Sequence, residues 1–178
     1  MNLEQLKYPI GKVIIPEKIT KKHIEEWLSV LEKFPQELEY LTKNLSDNQL
    51  DTPYRKDGWT LRQVVHHCYD SHHNSYTRFK WALTEKEPVI KAYYEDRWAE
   101  LHDSKTAPIF LSIDALKALH AKWVYFLKDT ILTDLESIFI HPSGNEKVTL
   151  KENIAIYAWH CNHHFAHIQQ LMIKKGWQ

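Results

Sequence analysis

Apolar residues recur every three to four positions along most of the chain, the period of an amphipathic helix. One stripe runs Ile24, Trp27, Leu28, Leu31, Leu38 and Leu41, and its spacing predicts a helix opening near Thr20. Pro35 falls inside that stripe and should kink the helix or split it, because its ring removes an N–H and crowds the preceding turn. Ser46 then opens a short helical turn, SDNQL. A second stripe carries Leu61, Val64, Val65, Cys68, Tyr69, His72, Tyr76, Phe79 and Leu83, with Thr60 of Gly58-Trp59-Thr60 as its N-cap. A third, through Leu116, Leu119, Trp123, Phe126 and Leu127, is expected to be capped by Ser112. The last runs Leu150, Ile154, Tyr157, Cys161, Phe165, Ile168 and Met172; it opens on the capping box Thr149-Leu150-Lys151-Glu152 and ends before Gly176.

The segments between the stripes read differently. Residues 1–19 hold Pro9, Gly11 and Pro16 and read as an extended arm. Residues 85–111, with Pro88 and Pro108, form a long connection carrying a helical piece at 95–102. A connection of that length in a compact domain suggests a lid or a wall of a site. IFIHPSGNEKVTL reads as a small hairpin turning at Ser143-Gly144-Asn145. The expectation is an all-α chain: one domain over residues 1–178, a four-helix bundle with a small hairpin before the last helix.

Composition narrows the function. Lys and Arg number 23 against 23 Asp and Glu, so the chain lacks the basic excess of a phosphate-reading, nucleic-acid-binding protein. No stretch reaches the roughly 20 apolar residues of a membrane span, and MNLEQLKYPIGK lacks the apolar core of a signal peptide. Two Cys do not make a secreted disulfide scaffold, so a cytoplasmic protein is expected. At 178 residues folding buries about 70% of the chain's surface, and no crosslink or ion is needed merely to hold it together.

Histidine changes the picture. There are 12, and eight of them fall in two windows: His66, His67, His72 and His73, then His160, His163, His164 and His167. Imidazole is the commonest metal ligand and the usual acid or base near neutral pH. On a helical wheel centred on the last stripe, His164 falls about 40–50° and His160 about 80–90° from the centre, with His163 at about 140–150°, nearly opposite the core. His160 and His164, one turn apart, can converge on one cation as in HExxH helices, though the Glu of that motif is absent here. A third ligand must come from elsewhere, and periodicity does not choose between His66 and His67. His72 sits on the stripe's centre, as a hydrogen-bonded core residue, and His73 reads as solvated. Asp70, one turn after His67, can orient an imidazole or simply face water. Cys68 and Cys161 occupy the middle of apolar stripes and read as small core residues. The seven Trp read mostly as core, with Trp59 and Trp159 placed to wall a pocket.

The segments Gly58-Trp59-Thr60-Leu61-Arg62-Gln63-Val64-Val65-His66-His67 and Tyr157-Ala158-Trp159-His160-Cys161-Asn162-His163-His164 resemble the DinB/YfiT-like family, as do Leu119–Val124 and His141-Pro142. The resemblance implies a four-helix bundle, commonly a homodimer, holding one divalent ion per chain with three His. Carried over by position, the ligands are His67, His160 and His164, with zinc the first candidate ion and nickel the second. It further implies a metal-dependent enzyme of the hydrolase type, or one resembling bacillithiol S-transferases. The pattern departs from that branch at Lys122 and Ser143, which affects the carry-over of substrate contacts. Three readings follow: activation of a low-molecular-weight thiol (bacillithiol) for transfer to an electrophile; hydrolysis by activated water, with Asp70 or His72 as candidate catalytic groups; and a non-catalytic metal or ligand-binding module.

Overall fold

Thr20, Thr60 and Thr149 each accept a hydrogen bond from the backbone N–H three residues on, and the side chains of His23, Gln63 and Glu152 answer each threonine's own N–H. These reciprocal caps satisfy donors that a helix start otherwise leaves open, and they set three of the four long helices. The computed structural model of the chain describes residues 2–130 and 132–177; Met1, Ile131 and Gln178 lie outside the described residues. In chain order the helices are α1 (Leu3–Lys7), α2 (Lys21–Thr42), α3 (Asp47–Leu50), α4 (Leu61–Thr84), α5 (Glu95–Trp98), α6 (His102–Thr106), α7 (Phe110–Lys128) and α8 (Leu150–Lys175). A 3-10 turn at Asp134–Glu136 and two strands, β1 (Ile138–His141) and β2 (Glu146–Thr149), precede α8. The strands pair antiparallel, Ile138 opposite Thr149 and His141 opposite Glu146. Gly144 (φ 85°) and Asn145 (φ 55°) take the left-handed conformation at the turn, which those residue types tolerate best. Gly176, also left-handed at φ 66°, ends α8.

Helices α2, α4, α7 and α8 make the bundle. α2 packs on α7 and α8, and α4 packs on the same two, so α2 and α4 stand on opposite corners. The pairs His66–Ser112 and His72–His120 climb together, which makes α4 and α7 parallel. Ser75–Asn153, Ser71–Tyr157 and His67–His160 run in opposite senses, which makes α4 and α8 antiparallel. A parallel α4–α7 pair forces the chain between them to travel back along the bundle, about 36 Å for the 24 residues of α4. That is why the connection is long. Ile90 N–H donates to the Ile140 carbonyl at its start, and Arg62, Gln63 and His66 hold the carbonyls of Ala99 and Ala107 near its end.

Leu31, Phe34, Leu38, Leu61, Val64, Phe79, Leu116, Trp123, Leu150, Ile154 and Ile168 are buried in one continuous cluster between the four helices. Each such side chain stabilises the fold by about 1.5–3 kcal/mol relative to leaving it in water. Several sequence expectations are corrected. Residues 3–7 form a short helix, because Asn2 and Gln5 supply a capping box that outweighs the prolines downstream. Pro35 does not split α2, which continues as a single 22-residue helix. α7 begins at Phe110, and Ser112 lies inside it with its hydroxyl turned to His66. Of the Trp, Trp123 is fully buried, while Trp98 is exposed and the others are half-buried.

Candidate metal centre

His67 lies two turns into α4, and His160 and His164 lie one turn apart in the middle of α8. The antiparallel crossing brings all three rings to one point. Nε2 of His160 is 3.2 Å from Nε2 of His67 and 3.1 Å from Nε2 of His164. One ligand atom from each lies within 4.8 Å of the other two. His66 turns to the other side of α4, its Nδ1 2.7 Å from the Ser112 hydroxyl and its Nε2 3.1 Å from the Ala107 carbonyl. His73 is exposed.

The protons on these rings follow from what surrounds them. The Leu31 carbonyl can only accept, so His120 Nδ1, 2.6 Å away, donates to it. Burial holds His120 at a pKa of about 4, so the ring is neutral and its Nε2 carries a lone pair. That lone pair lies 2.6 Å from His72 Nδ1, which must donate. His72, kept neutral by burial and the neighbouring rings, then accepts at Nε2 from His160 Nδ1, 3.0 Å away. His160 is left with a bare Nε2 facing His67 and His164. Pro35 explains why the chain can start: with no N–H, it leaves the Leu31 carbonyl without its helical donor, and His120 takes the place. A similar relay stands behind His164. His167 Nε2 donates to the Lys7 carbonyl at 3.1 Å, so its bare Nδ1 faces His164 Nδ1 at 3.5 Å, the long end of hydrogen-bond range.

Burial holds His67 at about 4 and keeps His160 and His164 well below the usual imidazole range, so all three are neutral at pH 7. Two bare lone pairs 3.1 Å apart repel unless a cation lies between them. The 3.1–3.2 Å separations approach the edge of a tetrahedron with metal–nitrogen bonds of 2.0–2.1 Å, about 3.3–3.4 Å. The donor set therefore fits a divalent ion that accepts imidazole. A second grouping, His163, His164 and His167, shares His164 and lies toward α1.

The three rings form part of the wall of a cavity of about 800 Å³. Residues 92–96 of the long connection also line this cavity. Trp59 also lines it, its ring 4.7 Å from that of His67. Trp159 stacks on His163 at 4.3 Å and donates to the Gly11 carbonyl, tying the N-terminal arm down. This arm corrects the wheel: His163, expected to point away from the core, is buried beneath Tyr8. Asp70 does not line the cavity and makes no hydrogen bond to His67 among the described residues; burial and Asp103 raise its carboxyl to about 6. His72 lies behind His160, fully buried, and does not reach the cavity. Cys68 and Cys161 are free and fully buried, which pushes both thiols up and leaves them inert. The wheel did not single out His120 or His167, nor the cavity residues Ser71, Arg78 and Tyr93.

A helical bundle with three imidazoles converging from two antiparallel helices defines a class, and the DinB superfamily model matches residues 30–168: the chain belongs to that superfamily. It is 49% identical to a protein of Bacillus cereus strain AH820 named "Putative metal-dependent hydrolase", over 98% of this chain and all of that one. A Bacillus anthracis protein of strain CDC 684 with the same description is equally similar. The solved structure of YfiT from Bacillus subtilis, titled "a probable metal-dependent hydrolase with an unusual four-helix bundle topology", is 45% identical and superposes with a TM-score of 0.96 over 98% of this chain and 99% of that one.

Proposed function

We propose that this chain is a metal-dependent enzyme acting on a small molecule, with His67, His160 and His164 as the ligands of one divalent ion. The observation that carries the reading is the convergence of three neutral Nε2 atoms on the wall of a cavity large enough for a substrate. A divalent ion there supplies Lewis acidity, lowering the pKa of a thiol or water that reaches it. The chain's own residues do the rest. His120 and His72 hold the His160 ring in one orientation and one tautomer. Trp59 and Tyr93 add aromatic surface to the cavity wall. Zinc is the first candidate ion and nickel the second, since imidazole suits both.

Transfer of a low-molecular-weight thiol such as bacillithiol to an electrophile is the first reading. It is favoured by the position of Asp70 and His72 outside the cavity: a thiol with a free pKa of about 8.5 ionises with far less help from a base than water does. Hydrolysis is the second reading, and the descriptions of the relatives favour it. A homodimer and a cytoplasmic location are part of the proposal; among the described residues no helix is long and apolar enough to cross a membrane. The test is thiol consumption by zinc-loaded protein given bacillithiol and a small alkylating electrophile, with and without chelator. Chelator-sensitive conjugation above the uncatalysed rate supports thiol transfer. Absence of conjugation with metal bound at one ion per chain contradicts it, and an ester and amide screen then tests hydrolysis. Uptake of the ion with no turnover in either assay would leave a binding module.

A further inference from the structure

Among the described residues, Arg78 is the one guanidinium of the cavity wall without a hydrogen-bond or ion-pair partner. Its side chain is only 9% exposed, its Nε is buried without a hydrogen-bond acceptor, and no carboxylate pairs with it among the described residues. Arg62, on the same helix and equally buried, holds Asp47, Asp51 and the Ala107 carbonyl, and Arg55 at the cavity's other end holds the Tyr54 hydroxyl and the Lys56 carbonyl. Phe139 lies against Arg78, with the guanidinium carbon 6.0 Å from the ring centroid, which is weak compensation for a desolvated cation. Leaving a charge buried and unpaired costs several kcal/mol, so a protein keeps one where a ligand completes the pair.

Its place on α4 tells what that ligand must be. Arg78 follows His67 by eleven residues, three turns that return to nearly the same helix face, with Ser71 between them on the cavity wall. The rise along the helix is about 16 Å, and helical side chains lean toward the N-terminus, which brings the guanidinium back toward the imidazoles. His141 of β1 faces the same space. It accepts the Ser143 N–H at Nδ1, so its proton is on Nε2, a further donor with no acceptor among the described residues. Glu95 and Asp96 line the same cavity, but both are exposed and neither pairs with Arg78.

We propose that Arg78, with His141 beside it, is an oxyanion-binding subsite that holds a carboxylate or phosphate group of an extended small-molecule substrate whose reacting end lies at the three imidazoles. The guanidinium fork accepts either group through two parallel N–H bonds, and the separation from His67 requires several bonds between the anionic end and the reacting atom. This rests on the reading of the cavity as a substrate site and names the substrate's class.

The test is made on chelator-treated, metal-free protein, so that anions do not bind at the histidines. Propionate and inorganic phosphate are titrated by calorimetry, with chloride held constant, against wild type and R78Q. Saturable binding of one anion per chain in wild type, weakened at least tenfold in R78Q, is the expected result. Tighter binding of phosphate assigns a phosphate ester as substrate, and tighter binding of propionate a carboxylic acid. Equal affinities in wild type and R78Q, or no saturable binding of either probe, overturns the subsite. R78K keeps the charge without the fork and should lose several-fold in affinity; if R78Q fails to fold, unchanged affinity in R78K overturns the proposal. Zinc titration of R78K should match wild type, so a lost anion site is separable from a lost metal site.

Discussion

His160 shows how much work is needed to present one nitrogen. Its Nε2 is free because its Nδ1 keeps the proton and donates it in a hydrogen bond to His72, His120 fixes His72, and the Leu31 carbonyl, released by Pro35, fixes His120. Replacing His72 by Leu should weaken zinc binding 10–100-fold, the usual cost of removing a ligand's hydrogen-bond partner. His72→Gln offers an acceptor and a donor in the same place and should recover part of that loss. Chelator-competition titrations of both variants check this, and equal affinities in the two would remove the relay from the account. The sequence pointed to His160 and His164 through their spacing, but not to this relay. His120 comes from α7, and its approach to His72 depends on α4 and α7 being parallel, which no local pattern encodes. Periodicity alone does not choose between His66 and His67, which lie off the stripe on opposite sides; the family resemblance points to His67, and in the structure the side on which α8 packs separates the two. Arg78 could have been found, since a charge eleven residues after His67 falls on the same face beside the apolar Phe79.

At the scale of elements, the long connection is held by a few polar contacts in addition to the burial of Ile90 and Ala99. Arg62 is 4% exposed and joins α4 to Asp47 and Asp51 around α3 and to the Ala107 carbonyl, at 2.7, 2.6 and 3.1 Å. Arg62→Ala should therefore destabilise the protein by about 1–2 kcal/mol, measured by urea unfolding, since the exposed Asp47 and Asp51 rehydrate while the Ala107 carbonyl loses its donor. A change below about 0.5 kcal/mol, the size expected of an ordinary surface substitution, would show that these contacts do not pin the connection. Capping residues made the starts of α2, α4 and α8 legible, because Thr with a partner three residues on is a local signal. The start of α7 was misplaced for the converse reason: Ser112 resembles a cap in sequence but spends its hydroxyl on His66. The arm was legible as a separate segment, yet its burial of His163 is a tertiary contact that a helical wheel cannot contain.

For the whole molecule, a core rich in neutral imidazoles makes stability depend on pH. His67, His120 and His167 are lowered by burial from 6.5 to about 4. In the unfolded chain they take up protons as the pH falls through about 6.5, while the folded protein resists until about 4, so the unfolded state binds more protons and is favoured by acid. The stabilisation from neutral burial is fully present above pH 6.5 and is lost progressively toward pH 4. Thermal melts of the metal-free protein should fall steadily across that window; a flat profile would mean these rings are not buried neutral.

The central claim is that one ion is held by His67, His160 and His164, and the most direct measurement is metal content of purified wild type and His160→Ala after zinc loading and gel filtration. The account predicts one zinc per chain in wild type and none in His160→Ala at unchanged helical content. Full zinc retained by the folded variant would contradict it.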